Sequence, residues 1–548
     1  MRSENIMDND QRHRPVHHFP QKNSGRTRNW RILNFALLII GWTATVQVSA
    51  AERPNVLLIL CDDLGYGDVA ALNPQCKFRT PHLDRLAKDG VSFTDAHSSS
   101  AVCTPTRYGL LTGRYNWRTR LQSGVLGGLS PRLIEPEVRT LADMLHAEGY
   151  DTACFGKWHL GMEWSRLPNE PAFTDAIEKG SDGWRVDYRQ PFRNGPLSVG
   201  FNRYFGIAAS LDMVPYTFLD NDRVAVIPTV DKEFPMLLGR EQGQTRRGPA
   251  AADFDAAQVL PTLTGHVIEY LKQHAAIGSK PFFCYVPLAS PHTPIVPTKQ
   301  WQGHSGTNHY GDFVEETDDA IGRILQTVRD QHLTERTIVI VTSDNGCSPQ
   351  ADFPELARFG HNPSHHFRGH KADIFEGGHR VPYIVSWPGR IPAGETCSKL
   401  TGLQDTFATC IDLVEIKRPE NVAVDSFSWR SHLIPGASLH RVRESLVHHS
   451  INGSFALRRG QWKLCFCGDS GGWSEPRPNS SAAKSLPSLQ LYDLSVDVSE
   501  QQNLAESQPA IVRQLTDEMA ELIARGRSTP GPVLANSAPV IWRKPELP

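Results

Sequence analysis

Two uninterrupted apolar runs limit the fold more than any other feature of this chain. Val56-Leu57-Leu58-Ile59-Leu60 follows Asn55, and Ile338-Val339-Ile340-Val341 lies between Thr337 and Thr342. Both have strand length and neither alternates, so each must be covered on both faces, as a strand is inside a parallel sheet with helices above and below it. The first ends in Cys61-Asp62-Asp63-Leu64-Gly65-Tyr66-Gly67-Asp68 and the second in Ser343-Asp344-Asn345-Gly346. Open α/β sheets bind ligands at the C-terminal ends of their strands. Two such strands would bring four oxygen-bearing side chains, Asp62, Asp63, Asp344 and Asn345, to one edge.

Thr152 to Phe155, Phe282 to Leu288 and Tyr383 to Trp387 read as further strands. Leu83 to Lys88, Leu141 to Glu148 and Phe313 to Val328 have helical apolar spacing. The alternation predicts an α/β fold, a three-layer α/β/α catalytic domain over residues 51–430. Beyond 430 the segments shorten to Phe455-Ala456-Leu457 and Trp462 to Cys465, then a Gly/Ser/Pro-rich loop from Gly468 to Pro487 and a helical Ala510 to Arg525. This predicts a smaller α+β C-terminal domain over 431–527, and residues 528–548, with five prolines, read as an irregular tail.

Arg26, Arg28 and Arg31 precede the apolar Phe35 to Ile40, and Val48-Ser49-Ala50 has small residues at a cleavage spacing. Residues 1–50 are therefore read as a signal peptide, in preference to an uncleaved anchor, and the protein is expected to be exported to a periplasmic, extracellular or lumenal compartment. With a cleaved leader no stable membrane partner is expected. That segment holds seven Lys/Arg against three Asp/Glu, so its loss shifts the formal net charge from −2 to about −6. Such a chain has no basic excess for nucleic acid. Ten cysteines, with no Cys-x-x-Cys pair, argue against zinc fingers and leave room for one or two disulfides.

Adjacent carboxylates at two strand ends repel unless a cation or donors lie between them. Oxygen donors without His or Cys favour Ca²⁺ or Mg²⁺ over zinc, and the amide of Asn345 leans toward Ca²⁺. Taken singly, Asp-Asp and Asp-Asn-Gly are more often turns; their occurrence at two strand ends is what favours a metal. In Cys103-Thr104-Pro105-Thr106-Arg107, a helix is expected to start with Pro105 in its first position and to end at Gly113. Cys103 would sit just before that helix, where an anion is welcome and a bare thiol would be a low-pKa nucleophile. A small buried cap residue fits the spacing equally well. Lys157 and His159, two apart, would share one face of an extended segment between Gly156 and Gly161.

Cys103-Thr104-Pro105-Thr106-Arg107 followed by Leu110-Leu111-Thr112-Gly113-Arg114 resembles the signature of the type I sulfatases of the alkaline phosphatase superfamily, closest to the arylsulfatase A-like branch. Matching motifs recur in order: Asp62-Asp63, Gly156 to Gly161, Gly200 to Ile207, Ser290-Pro291-His292-Thr293-Pro294, Ser343 to Gly346 and Arg368 to Lys371. The resemblance implies an alkaline phosphatase-like sandwich and a sulfuric ester hydrolase. It implies that Cys103 is converted to formylglycine by a maturase and, as the hydrate, is the nucleophile. Asp62, Asp63, Asp344, Asn345 and residue 103 would bind Ca²⁺. Arg107 would hold the hydrate, Lys157 the sulfate and metal side, and His159 would orient and deprotonate the hydrate. His292 would bind sulfate or protonate the leaving group, and Lys371 would pair with the sulfate. Asp68, His370 and His379 are assigned to supporting roles.

Two other readings stand beside the sulfatase: a formylglycine-dependent phosphodiester or phosphonate ester hydrolase, and a non-catalytic binder of sulfated glycans. Export suggests a sulfated carbohydrate as the substrate. Trp184, Arg185, Tyr188, Arg189, Phe192 and Arg193 form an aromatic and basic stretch that suits a sugar, or a solvated loop.

Overall fold

The computed structural model describes residues 53–238, 243–278, 280–437 and 441–543. The leader at 1–50 lies outside them. Ten strands form one mixed sheet: β1 (Asn55–Cys61), β2 (Val91–Phe93), β3 (Asp151–Lys157), β4 (Arg203–Ile207), β5 (Leu219–Asp220), β6 (Arg223–Val224), β7 (Phe282–Pro287), β8 (Thr337–Ser343), β9 (Tyr383–Ser386) and β10 (Glu395–Cys397). Their spatial order is β10-β2-β9-β8-β1-β7-β3-β4-β5-β6. The five from β8 to β4 are parallel, and β1 pairs with β8 in register from Asn55↔Thr337 to Cys61↔Ser343.

The two-faced burial predicted for β1 is literal. Val56, Leu58 and Leu60 enter one apolar cluster with Tyr108, Leu110 and Leu111, whereas Leu57, Ile59 and Cys61 enter the other with Phe313, Ile321 and Ile324. Burying each of the larger aliphatic side chains stabilises the sheet by about 1.5–3 kcal/mol. On one face lie α2 (Cys103–Thr112), α3 (Leu141–Ala147) and α6 (Asp405–Leu413), and on the other α1 (Pro81–Lys88), α4 (Val259–Ile277) and α5 (His309–Asp330). β9 is a strand, as its sequence predicts, but it runs antiparallel to β8. The chain leaves β8 at the ligand-binding end, spends residues 344–382 there, and enters β9 from that same end.

The helix at Cys103 starts earlier than its proline suggests. Val102 is the extended N-cap, which makes Cys103 the first helical residue and Pro105 the third. Proline is tolerated throughout a first turn because those N–H groups have no helical acceptor. Gly113 ends the helix in the left-handed conformation at φ 61, where glycine has no Cβ to clash.

The C-terminal strands β11 (Ser445–His449), β12 (Phe455–Arg459), β13 (Trp462–Cys465) and β14 (Gln490–Asp493) form an antiparallel meander. Helix α7 (Pro509–Ala524) buries Leu515, Met519 and Leu522 against Leu446, Leu457, Leu464 and Leu491. Tyr115 and Trp117, just past α2, join the same cluster. Residues 528–543 hold no helix or strand, yet Ser537 donates its N–H to the Arg118 carbonyl at 2.8 Å. Cys61, Cys154, Cys284, Cys347 and Cys410 are buried thiols outside any disulfide. Among the described residues no helix is long and apolar enough to cross a membrane.

Candidate active site

Each site residue lies at the C-terminal edge of the parallel strands or on a segment packed over it. Asp62 and Asp63 follow β1, Asp344 and Asn345 follow β8, Lys157 ends β3, and His292 follows β7. Asp63 has φ 65, a left-handed conformation that aspartate tolerates better than most residues. It breaks the strand's alternation, so the two neighbouring carboxylates serve one cluster. Cys103 opens α2, and Arg107, one turn on, reaches back beneath it.

All of the predicted site residues are at least nine-tenths buried. Arg107 donates through Nε and Nη2 to Asp344 Oδ2 at 3.0 and 2.8 Å and lies 3.3 Å from Asp62 Oδ2. Lys157 Nζ donates to Asp62 Oδ2 at 2.6 Å. Lys371 Nζ lies 2.7 Å from Asp63 Oδ1, to which Asn345 Nδ2 also donates at 2.6 Å. His292 Nε2 stands 3.7 Å from Asp63 Oδ2. Three carboxylates thus face three fixed cations in a dry site, where such pairs interact far more strongly than in water.

The donor set suits a hard cation. Asp62 Oδ1 and Asn345 Oδ1 are buried and accept no hydrogen bond among the described residues. Asp62, Asp344 and Cys103 each offer a ligand atom, all within 4.8 Å of one another, as do Asp62, Asp63 and His292. Unpaired buried acceptors cost free energy that an oxygen-seeking ion recovers. Burial pushes Asp344 up to about 7, with the Asp62 charge adding to the effect. Burial acts on Asp62 in the same direction, but Lys157, His292, Arg107 and Lys371 outweigh it and hold that carboxyl well below the usual range.

The thiol of Cys103 departs from the low-pKa nucleophile that its place beside a helix start suggests. Burial raises it, and Lys157 and Lys371 offset this only in part. An unmodified cysteine here is a poor nucleophile at neutral pH. Lys157 and His159 also differ from a shared strand face, because His159 adopts φ 54 and turns the chain. Both are fully buried, so they are not a surface strand either. The carbonyl of Leu126 lies 2.7 Å from His159 Nε2. A carbonyl only accepts, so Nε2 carries the proton and Nδ1 the lone pair. That Nδ1 is buried without a hydrogen-bond partner among the described residues. Burial first, then Lys157 and Arg107, keep His159 well below its ordinary pKa and neutral. Gly156, at φ 146, has no room for a Cβ, which would lie 1.9 Å from the Pro287 carbonyl oxygen.

Two supporting residues escape sequence reasoning. Ser210 accepts from Lys157 Nζ at 2.6 Å; its only signal is its place three residues beyond β4. Tyr310 donates to the Asp63 carbonyl at 3.1 Å and to Asp68. Asp68 accepts from Gly65 N at 2.8 Å, His370 N–H is held by Asp373, and His379 Nε2 lies 3.1 Å from the Ile374 carbonyl. The stretch from Trp184 to Arg193 does not form an open sugar-binding face. Tyr188 and Phe192 are buried in the core, Trp184 donates to Asp231, and Arg185 pairs with Glu170.

A family model described as Sulfatase matches residues 54–416. The chain belongs to the sulfatase family. An N-acetylgalactosamine-6-O-sulfatase of Bacteroides thetaiotaomicron is 31% identical to this sulfatase over 511 residues, covering 87% of this chain and 94% of that one. Arylsulfatase A of Bos taurus is 31% identical over 506 residues, covering 88% and 90%. A solved structure from work on glycosaminoglycan metabolism by Bacteroides thetaiotaomicron superposes with a TM-score of 0.73 at 30% identity, covering 86% of this chain and 99% of that one. The enzyme is accordingly a hydrolase of sulfate esters. Phosphonate monoester hydrolase of Agrobacterium radiobacter shares the fold at 19% identity and a TM-score of 0.55, so the architecture alone does not select between sulfur and phosphorus.

Proposed function

We propose that this sulfatase is exported and releases sulfate from a sulfated carbohydrate, using formylglycine made from Cys103 by a maturase, together with bound calcium. The observation that carries the reading is the pair of buried, unpartnered oxygens of Asp62 and Asn345 beside Cys103 and three fixed cations. The relatives named for N-acetylgalactosamine-6-sulfate chemistry support the carbohydrate. Asp62, Asp63, Asp344 and Asn345 would hold the ion with residue 103. Once bound, calcium would supply Lewis-acid polarisation, and formylglycine would supply an oxygen nucleophile that can be regenerated.

The chain's own groups divide the remaining work. Arg107, anchored on Asp344, fixes the first turn of α2 and balances the carboxylates. Lys157 and Lys371 meet the charge that develops on the sulfate oxygens. His159 Nδ1, whose lone pair has no partner among the described residues, accepts a proton from the side chain of residue 103. The Thr293 carbonyl lies 2.6 Å from His292 Nδ1, which leaves Nε2 as the nitrogen that exchanges a proton with the leaving oxygen.

The test is expression with a formylglycine-generating maturase, mass spectrometry of the peptide containing residue 103, and a screen of sulfated sugars for free sulfate. Aldehyde at 103 and sulfate release from a sugar are expected. Full activity with an intact thiol overturns the nucleophile, and activity confined to aryl esters overturns the carbohydrate. Elemental analysis should find calcium, and chelation should lower the thermal midpoint; an unchanged midpoint in metal-free protein counts against the ion.

A further inference from the structure

A loop of the C-terminal meander packs on the segment that follows Lys371. Beyond β13 the chain passes through Ser470-Gly471-Gly472-Trp473-Ser474 and meets the segment that carries the catalytic lysine. Asp373, fully buried, is the bracket between them. Its Oδ1 accepts from the N–H groups of Trp473 at 2.7 Å and Ser474 at 3.0 Å, and its Oδ2 accepts from His370 N at 2.9 Å. Ile374 N donates to the Ser470 carbonyl at 2.8 Å, and Ala372 N donates to Ala101 O at 2.8 Å, two residues before Cys103. A Cβ on Gly472 would fall 2.5 Å from Ala372 C, so this loop's backbone rests directly on that of Ala372.

Trp473 is therefore fixed by its backbone next to the sulfate-binding lysine, and its indole is left over. It is half-buried and belongs to none of the apolar clusters. Other tryptophans are spoken for: Trp158 and Trp164 donate to Gly161 O and Gly128 O, and Trp117 stacks on Tyr115. The Trp473 indole has neither a ring partner nor a hydrogen-bond acceptor among the described residues. An unpartnered indole on a backbone pinned two residues from Lys371 suits a molecule with a sulfate at one end and an apolar C–H face at the other, which describes a sulfated pyranose.

We infer that Trp473 is the platform on which the substrate's sugar ring stacks, making it a specificity-determining residue. The inference rests on the carbohydrate reading above. It is tested on matured enzyme with a sulfated sugar that the wild type cleaves. Trp473→Ala should raise KM roughly five- to tenfold with little change in kcat. Inhibition by inorganic sulfate, which needs only the cation cluster, should keep its wild-type constant, and Trp473→Phe should recover most of the loss. An unchanged KM overturns the inference, as does a parallel loss of sulfate inhibition, which would make the loop a mere prop for Lys371. If the wild type releases sulfate from aryl esters but from no sugar, the carbohydrate reading itself fails and takes this one with it.

Discussion

His97, six residues before Cys103, sits in a buried network that ties the catalytic sheet to the C-terminal meander, and its titration can be read quantitatively. Its Nε2 donates to Asp95 at 2.8 Å and its Nδ1 lies 3.0 Å from His379 Nδ1. His379 in turn has its Nε2 3.1 Å from Lys463 Nζ and stacks on His448 at 3.8 Å. The charged neighbours are Asp95 and Glu376 against Arg380, Arg458 and Lys463, with Glu500 losing its charge below about pH 7, so a protonated histidine would add to an excess of buried positive charge. Burial and then Arg380 hold His97 down at about 4, from an ordinary 6.5. Between those values the unfolded chain binds a proton that the folded chain refuses, so stability falls as pH falls through the window. From pH 7 to pH 4.5 the loss from this one group comes to about 2 kcal/mol. The comparison to make is between wild type and His97→Asn, by urea unfolding followed through tryptophan fluorescence at each pH. Glu500, pushed up to about 7 by burial, titrates in both proteins and cancels in the difference. The variant should lose about 2 kcal/mol less than wild type on acidification. Parallel stability curves would refute the reasoning.

Three further outcomes follow from the site and its supports. Cys103→Ala should abolish sulfate release while leaving the unfolding midpoint near that of wild type, because the side chain is small and its replacement smaller; residual turnover above a hundredth of wild type would count against residue 103 as the nucleophile. Lys157→Met should lower kcat/KM by roughly 10²–10³-fold, measured by sulfate release, and a loss below tenfold would remove Lys157 from the reaction. Arg118 is fully buried and pairs with Asp425 at 2.8 Å through both Nε and Nη2, so Arg118→Met should destabilise the protein by about 3–5 kcal/mol, read from the shift in urea midpoint.

The residue types at the ends of β1 and β8 were enough to bring Asp62, Asp63, Asp344 and Asn345 together, because an uninterrupted apolar run reads as a central strand and whatever follows it lies at the ligand-binding edge. The motif around Cys103 located the proposed nucleophile for the same local reason: a helix start is written in a few consecutive residues. Contacts between distant segments were not readable in this way. His159 looked like the second member of a strand pair, and only its left-handed backbone, with Leu126 opposite, revealed which nitrogen is free. Cys103 looked reactive because of its helix; its complete burial, imposed by segments hundreds of residues away, raised its pKa. Tyr188 and Phe192 looked like a sugar site and proved to be core. Trp473 carried no signal until the fold pinned its backbone on Asp373, two residues from Lys371. Sequence by itself thus determined the elements, the sheet's buried strands and the chemical inventory of the site, since these depend on short-range pattern. Tertiary structure alone decided protonation states, which oxygens lack partners and which aromatics are buried in the core, because burial and charge are set by neighbours that the chain's order does not reveal.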